Sequence, residues 1–287
     1  MKVAKSYRWV RCCFFGRGCA LGEVVREGVK IWYDEKGAGD PLVLIGGIGH
    51  PVCMWGEALG LLAQSFRVVA FDNRGTGRSD KPQTRYSMDA FVEDTLAVIQ
   101  ALGLDRPHVL GFSLGGFIAQ ALACRAGDAL GRLVLVNTAF GGPKYAPPGM
   151  DVINALLTGP RGETPLERGV DALRYDFTDA FLQDHRDVVE RIVACTLEQP
   201  QPPYAYQGQA AVGGSFNLEA QVRDIRNPTL VIVADQDRIV PPVNGMELQK
   251  AIPNARLATI RDAGHMVFIE RPEEFSTAVT QFLKGEC

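Results

Sequence analysis

The sequence predicts an α/β fold, in which a mostly parallel, eight-stranded sheet is flanked by helices and carries a helical cap insertion over one edge. Three observations predict it. Short β-branched runs alternate with longer amphipathic stretches, as in strands joined by crossover helices. That rhythm breaks between Thr138 and Asn227, a gap too long for a loop inside a compact domain. A glycine-flanked serine, Gly111-Phe112-Ser113-Leu114-Gly115, stands where a strand run gives way to a helical one. At 287 residues, 46% hydrophobic and 22% charged, the chain fits one large domain or a domain with an insertion. The same figures exclude a disordered, collagen-like or disulfide-scaffold protein.

The elements follow in order. Residues 24–33 read as a strand pair and 41–45 as a buried strand ending in Gly46-Gly47. A helix over 54–64 precedes a strand over 67–71. Residues 88–102 are helical, because Phe91, Thr95, Val98 and Leu102 recur at three- and four-residue spacing. Strand 108–110, helix 114–125 and strand 132–136 come next. The gap then opens with Gly141-Gly142-Pro143 and Pro147-Pro148-Gly149 and is helical between such breakers. Strand 229–233, helix 244–251, strand 256–260 and helix 273–283 complete the pattern. The domains are therefore a core of 21–138 and 227–287, a helical cap of 139–226, and a disordered or non-native leader of 1–20.

The formal charge of -3 hides an asymmetry. Residues 1–22 carry Lys2, Lys5, Arg8, Arg11 and Arg17 and no acid, so the remainder sets 25 Lys and Arg against 33 Asp and Glu. An acidic body is a poor counterion for a phosphate backbone, which argues against nucleic acid as a partner. No apolar run approaches the ~18 residues of a membrane span. The basic start is unlike a signal peptide, because Arg11 interrupts its apolar stretch and Gly16-Arg17-Gly18 is a poor cleavage site. Seven cysteines (Cys12, Cys13, Cys19, Cys53, Cys124, Cys195, Cys287) form no CxxC pair. They read as free thiols in a reducing cytoplasm.

Ser113 sits in a G-x-S-x-G sequence between a strand and a helix, the context of a nucleophile elbow. A serine held above the sheet in so sharp a turn needs its neighbours two positions away to lack side chains. Gly111 and Gly115 meet that need, and Gly116 lets the helix pack close behind. A capping serine at an ordinary turn is the bland alternative. The nucleophile needs a base, and there are four histidines, His50, His108, His185 and His265. His108 starts an apolar strand and His185 lies among Asp184, Arg186 and Asp187, which point to structural and exposed roles. His265 follows the last strand in Asp262-Ala263-Gly264-His265-Met266, on a loop at the carboxyl end of the sheet where catalytic groups collect. His50, on the loop after the first central strand, is the alternative. For the acid that orients the imidazole, Asp235 and Asp237 compete after strand 229–233. The order Ser113, Asp237, His265 is that of one triad class and not of the chymotrypsin or subtilisin classes.

With these motifs in view, the stretch from Val24 to Leu283 resembles the α/β-hydrolase family. Residues 42–49 resemble that family's oxyanion-loop strand, with Gly46 where a histidine is usual. The resemblance implies that the backbone amides of Ile48 and Leu114 form the oxyanion hole. Asp72-Asn73-Arg74-Gly75-Thr76-Gly77-Arg78-Ser79-Asp80 resembles the tight turn after the next strand, a scaffold element. The family's acid loop is commonly Gly-x-x-Asp, and with Ala234 in the glycine place the acid falls on Asp237. Gly47, Met266 and Val240 become candidate substrate contacts. Tyr145, Met150, Phe177, Tyr204, Tyr206 and Phe216 of the cap either line the pocket or fill the cap's own core.

Dinucleotide and phosphate-loop fingerprints are absent, and the scattered histidines offer no zinc site, so no cofactor or metal is expected. The sequence thus implies a serine hydrolase acting through an acyl-enzyme on a small, largely apolar molecule. Residues 72–82 and the cap length resemble carboxylesterases and 3-oxoadipate enol-lactonase-like members, so an ester or lactone leads. A C–C bond hydrolase of a ring-cleavage diketone, a cofactor-free perhydrolase or haloperoxidase, and a triad-bearing ligand receptor are the alternatives. Serine at the nucleophile position speaks against the family's dehalogenases and epoxide hydrolases, which use aspartate.

Overall fold

A computed structural model describes residues 10–12 and 19–286. Nine strands form one sheet: β1 Val10–Cys12, β2 Cys19–Arg26, β3 Val29–Lys36, β4 Pro41–Ile45, β5 Arg67–Phe71, β6 His108–Phe112, β7 Leu133–Val136, β8 Thr229–Ala234 and β9 Ala255–Ile260. Their order is β1-β2-β3-β5-β4-β6-β7-β8-β9. Strands β1 to β3 run antiparallel at one edge, and the remaining six are parallel. Eight strands were expected. The ninth, β1, pairs Val10 with Glu23 and Cys12 with Leu21, within the stretch read as a leader without a strand partner. Three residues are too few to show a period of two, so β1 left no sequence pattern. Residues 1–9 and 13–18 of that leader fall outside the described residues.

Parallel strands need crossovers, and helices supply them on both faces. The helices are α1 Gly56–Leu62, α2 Met88–Ala101, α3 Leu114–Ala126, α4 Met150–Thr158, α5 Pro165–Ala172, α6 Asp179–Asp184, α7 Arg186–Glu198, α8 Pro203–Gly214, α9 Pro242–Ala251, α10 Val267–Glu270 and α11 Pro272–Lys284. Alternate residues of each central strand face opposite ways. Val43 and Ile45 of β4 join one buried cluster with Phe91, Val98, Ile118 and Leu122 of α2 and α3. Leu42 and Leu44 join the other with Leu62, Phe268, Phe275 and Val279 of α1, α10 and α11. Covering both faces explains why β4, β7 and β8 read as continuous apolar runs.

Between β7 and β8 the chain leaves the sheet and builds α4 to α8. Local signals start these helices: Thr164 and Glu167 form a reciprocal capping box on α5, and the Thr178 hydroxyl caps α6. Phe177 and Phe181 stack at 5.1 Å in the buried part of this insertion. No helix among the described residues is long and apolar enough to cross a membrane.

Cys53 and Cys195 form a disulfide across 142 residues, joining the turn before α1 to α7. The expectation of free thiols is therefore corrected for this pair, and the thiol argument for a reducing compartment lapses with it. A bridge between distant segments leaves no local spacing signal. Cys124 is free and exposed, whereas Cys13 and Cys287 lie outside the described residues, as do the side chains of Cys12 and Cys19.

A buried ionic knot ties the edge of the sheet to its helical face. Asp94 of α2 accepts from Arg74 Nε at 2.6 Å and from Arg26 Nε at 2.7 Å, and all three side chains are buried. Removing the shared carboxylate leaves two guanidinium groups buried without their anion. Asp94→Ala should lower unfolding stability by about 3–5 kcal/mol in urea denaturation. Asp187→Ala, which breaks the exposed, solvent-screened pair with Arg191, should leave the urea midpoint near wild type.

Candidate active site

The turn from β6 into α3 holds Ser113 at φ 53° and ψ −118°, a left-handed conformation that only a fixed surrounding can impose on a residue with a side chain. Neighbouring glycines make that surrounding possible. A Cβ on Gly115 would collide with the Ile45 carbonyl, one on Gly111 with the backbone of Gly115, and one on Gly116 with Thr138. The Ser113 N–H donates to Val136 O at 3.0 Å, and the Thr138 hydroxyl donates to Ser113 O at 2.8 Å.

Facing the serine is the loop after β4. A Cβ built on Gly47 would lie 3.2 Å from the Ser113 Cβ, so backbone and nucleophile candidate are in close approach. Asn73 Nδ2 donates to Gly46 O at 2.9 Å, and Asp72 Oδ1 accepts from Val52 N at 2.7 Å. From the insertion, Gln209 of α8 reaches down and accepts from Gly49 N at 2.8 Å. Its amide nitrogen donates to Arg74 O and Thr76 Oγ1, both at 2.8 Å, so a fully buried Gln209 fastens both loops to α8. Among the described residues no group accepts a hydrogen bond from the amides of Ile48 or Leu114. His50 fills the space beside Gly46, where its ring Nδ1 would lie 2.9 Å from an added Cβ.

Asp237 and His265 meet at the carboxyl ends of β8 and β9. Asp237 Oδ2 lies 2.7 Å from His265 Nδ1, with both residues buried. The other carboxylate oxygen accepts from Ile239 N at 2.8 Å and Val240 N at 2.9 Å, which fixes the acid on its loop. The His265 ring packs on Phe112, the residue before Ser113, with centroids 4.7 Å apart. Two further side chains set the histidine loop. Asn137 Nδ2 donates to His265 O at 2.8 Å while its Oδ1 accepts from Ala234 N at 2.9 Å, joining the His265 loop to β8. Glu270 accepts from Gly264 N at 2.9 Å and from the Thr178 hydroxyl at 2.7 Å, so the loop is also pinned to the insertion.

A family profile described as alpha/beta hydrolase fold matches residues 40–272. The chain belongs to the alpha/beta hydrolase family. A protein of Mycobacterium tuberculosis that bears the provisional name non-heme bromoperoxidase BpoC is 32% identical over 257 residues, covering 88% of this chain and 97% of that one. The 2-hydroxymuconate semialdehyde hydrolase of Pseudomonas putida is 31% identical over 273 residues, covering 91% and 93%. Among solved structures, the enol-lactonase of Burkholderia xenovorans LB400 superposes with a TM-score of 0.79 at 28% identity, covering 91% of this chain and 99% of its own.

Within this alpha/beta hydrolase, the remaining histidines are accounted for. His108 Nδ1 accepts from Arg132 N at 2.9 Å at the start of β6, and His185 is exposed between α6 and α7. His50, the alternative base, is enclosed by Trp55, Phe112 and Phe268 with neither ring nitrogen partnered. Burial drives its pKa down to about 3, so it is neutral. Asp235 is exposed, whereas Asp237, two residues on, both caps the loop through Ile239 N and Val240 N and meets the histidine. Val240 and Met266 are buried against the loops that carry Asp237 and His265. Of the insertion residues weighed for the pocket, Phe177 and Phe216 are buried packing residues, while Met150, Tyr204 and Tyr206 are exposed.

One participant escaped the sequence. Asp176, between α5 and α6, accepts the Met266 N–H on its carbonyl at 2.9 Å, so it rests on the histidine loop. Burial pushes its carboxyl up to about 6, against the pull of His265, with Asp237 pushing it further. Tyr175-Asp176-Phe177, an acid between two aromatics at a break between helices, was the available signal. Burial lowers the pKa of His265, but the charge and hydrogen bond of Asp237 and the charge of Asp176 outweigh it, and the net direction is upward from 6.5. Imidazole titration by NMR should therefore place His265 above 6.5. Asp237→Asn should bring it down, and His50 should stay neutral throughout the range of the folded protein.

Proposed function

We propose that the protein is a serine hydrolase that cleaves a small carboxylic ester or lactone through an acyl-enzyme. The observation that carries this is the juxtaposition of Ser113, strained above the sheet, with two uncommitted amides on one side and a buried Asp237–His265 pair on the other. Ser113 Oγ attacks the carbonyl carbon while His265 Nε2 takes its proton. Asp237, already bonded to Nδ1, holds the tautomer that leaves Nε2 free and stabilises the imidazolium as it forms. The Ile48 and Leu114 amides meet the oxyanion, each worth about 3–4 kcal/mol in such sites. Leu114 opens α3, whose N-terminal dipole adds to the same charge. The His265 proton then goes to the leaving oxygen, and water repeats the sequence on the acyl-serine. None of these steps draws on a metal or organic cofactor.

The second reading is C–C bond hydrolysis of a ring-cleavage diketone. It is favoured by the likeness to 2-hydroxymuconate semialdehyde hydrolase and would use the same three residues. Likeness to BpoC keeps a perhydrolase in view. A ligand receptor would bind without appreciable turnover.

Aryl esters, lactones and vinylogous diketones assayed in parallel discriminate these readings. Esters or lactones should be turned over fastest, and Ser113→Ala should abolish hydrolysis while the melting temperature is kept. An organophosphonate should label Ser113 alone, and labelling elsewhere with an active Ser113→Ala would refute the nucleophile.

Asp237→Asn should cut turnover by about 10⁴, the loss that the equivalent change causes in serine proteases. Asp235→Asn, on an exposed side chain, should leave both turnover and melting temperature near wild type. Because the base must be neutral, activity should rise with pH through one step centred above 6.5.

A further inference from the structure

Of the ties between the insertion and the rest of the chain, one is a covalent bond that solvent can reach. The Cys53–Cys195 disulfide joins the turn Val52–Trp55 to α7. Cys53 is exposed and Cys195 half-buried, and both border a cavity of about 450 Å³ that Trp32, Arg78 and Glu198 also line. A small dissolved thiol therefore has room to approach the bridge. Exposed disulfides are reduced more readily than structural ones.

The two sides of the bridge are held differently. The Cys53 turn is fixed without it: Val52 N donates to Asp72 Oδ1 at 2.7 Å, and Trp55 is fully buried against His50 and Phe268. On the other side Val189 and Ile192 anchor α7 in the core, and both precede Cys195. Residues 197–200, which follow, are all exposed. Gln201 then returns to the site. Its Nε2 donates to Gln209 Oε1 at 3.0 Å and to Thr76 Oγ1 at 3.4 Å, and a Cβ on Gly49 would lie 2.7 Å from its Oε1. Gln209 Oε1 is the atom that accepts from Gly49 N, next to Ile48. Residues 195–201 thus form a strap with the disulfide at one end and the Ile48 loop at the other.

We propose that the cavity beside Cys53–Cys195 admits a small thiol, which opens the bridge, slackens the strap and slows turnover. The proposal rests on the hydrolase reading, because the group it regulates is the Ile48 amide that meets the oxyanion. A thiolate entering the cavity attacks Cys53 Sγ, the S–S bond breaks, and Cys195 leaves as a thiolate that takes up a proton. A second thiolate attacks the small-molecule sulfur of the mixed disulfide, and Cys53 leaves in the same way. Two thiols are oxidised to one disulfide, and the bridge takes up their two electrons. The oxidised small molecule runs the sequence backwards and closes the bridge. With its disulfide anchor gone, an exposed strap with few apolar contacts opens locally at little cost, and the Gly49 loop loses its cover.

The full chain equilibrated with reduced and oxidised glutathione at set ratios tests it. Alkylation and mass spectrometry score the bridge at Cys53 and Cys195, and aryl-ester turnover is measured on the same samples. As the bridge opens, kcat should fall at least about fivefold with KM changing less, a part of the loss of about 10²–10³ that deleting one oxyanion donor causes. Oxidised glutathione should restore it. Hydrogen exchange over residues 46–53 should quicken in the same step. Cys53→Ser and Cys195→Ser should show the lower kcat and ignore glutathione, which separates the bridge from every other cysteine.

An opened bridge that leaves either kcat or the exchange of residues 46–53 unchanged would overturn the proposal. So would a bridge that stays closed in millimolar glutathione while the protein is folded. Should the serine variants not fold, the reversible response of the wild type decides alone. If no ester or lactone is turned over, the ester reading fails on its own. The switch is then read from the rate at which an organophosphonate labels Ser113: slower labelling and faster exchange on opening sustain it, and no change in either overturns it.

Discussion

Everything around Ser113 exists to hold one strained backbone turn. A residue with a side chain at φ 53° resists its conformation by about 1–3 kcal/mol, and the strain persists only if neighbouring structure over-determines it. Here the determination comes from a close approach of α3 to the sheet, with no room for a single extra carbon at Gly111, Gly115 or Gly116. Parallel strands buried on both faces give that approach a rigid floor. The hydroxyl of Thr138 and the carbonyl of Val136 hold the serine's own peptide groups, so the nucleophile candidate is positioned by backbone chemistry before any ligand arrives.

The insertion does more than cover this turn. It is fastened to the two loops that flank Ser113 by separate devices. Gln209 uses its amide oxygen and nitrogen to grip Gly49 on one side and Arg74 and Thr76 on the other. Glu270, from the core, grips Gly264 and Thr178 together. A third tie, the Cys53–Cys195 disulfide, joins α7 to the turn before α1. In the chain-entropy picture, closing so long a loop restricts the unfolded chain by about 5 kcal/mol. Movement of the insertion is thereby coupled to the amide of Ile48 and to the position of His265, the groups on which the proposed chemistry relies.

What could be seen in the sequence was whatever repeats or has a fixed local spacing. The helix over Met88–Ala101 announced itself by periodicity, and the elbow by its glycines. The pairing of Asp237 with His265 could be expected because order along the chain and position after a strand both constrain them. Contacts between distant segments left no such trace. Gln209, Glu270 and Asn137 are ordinary polar residues in sequence, and only folding reveals that each satisfies backbone groups on another element. Asp235 and Asp237 looked alike as acids just after a strand, and the choice of which one turns inward is made by the direction of the loop after Ala234. Asp176 was hidden for the same reason, since an acid on a connecting segment reads as solvated until the histidine loop is found beneath it.

The insertion lies between β7 and β8, and this placement has a consequence for how the protein is made. A nascent chain that has reached Val136 already contains Ser113 and both amides that would bind an oxyanion, yet no acid and no base. The five helices that follow must be synthesised before β8 and β9 add to the open edge beside β7 and bring in Asp237 and then His265. On the proposed chemistry, a truncated or stalled chain would keep an unassisted Ser113 hydroxyl, and the site would be completed only when the last strands dock.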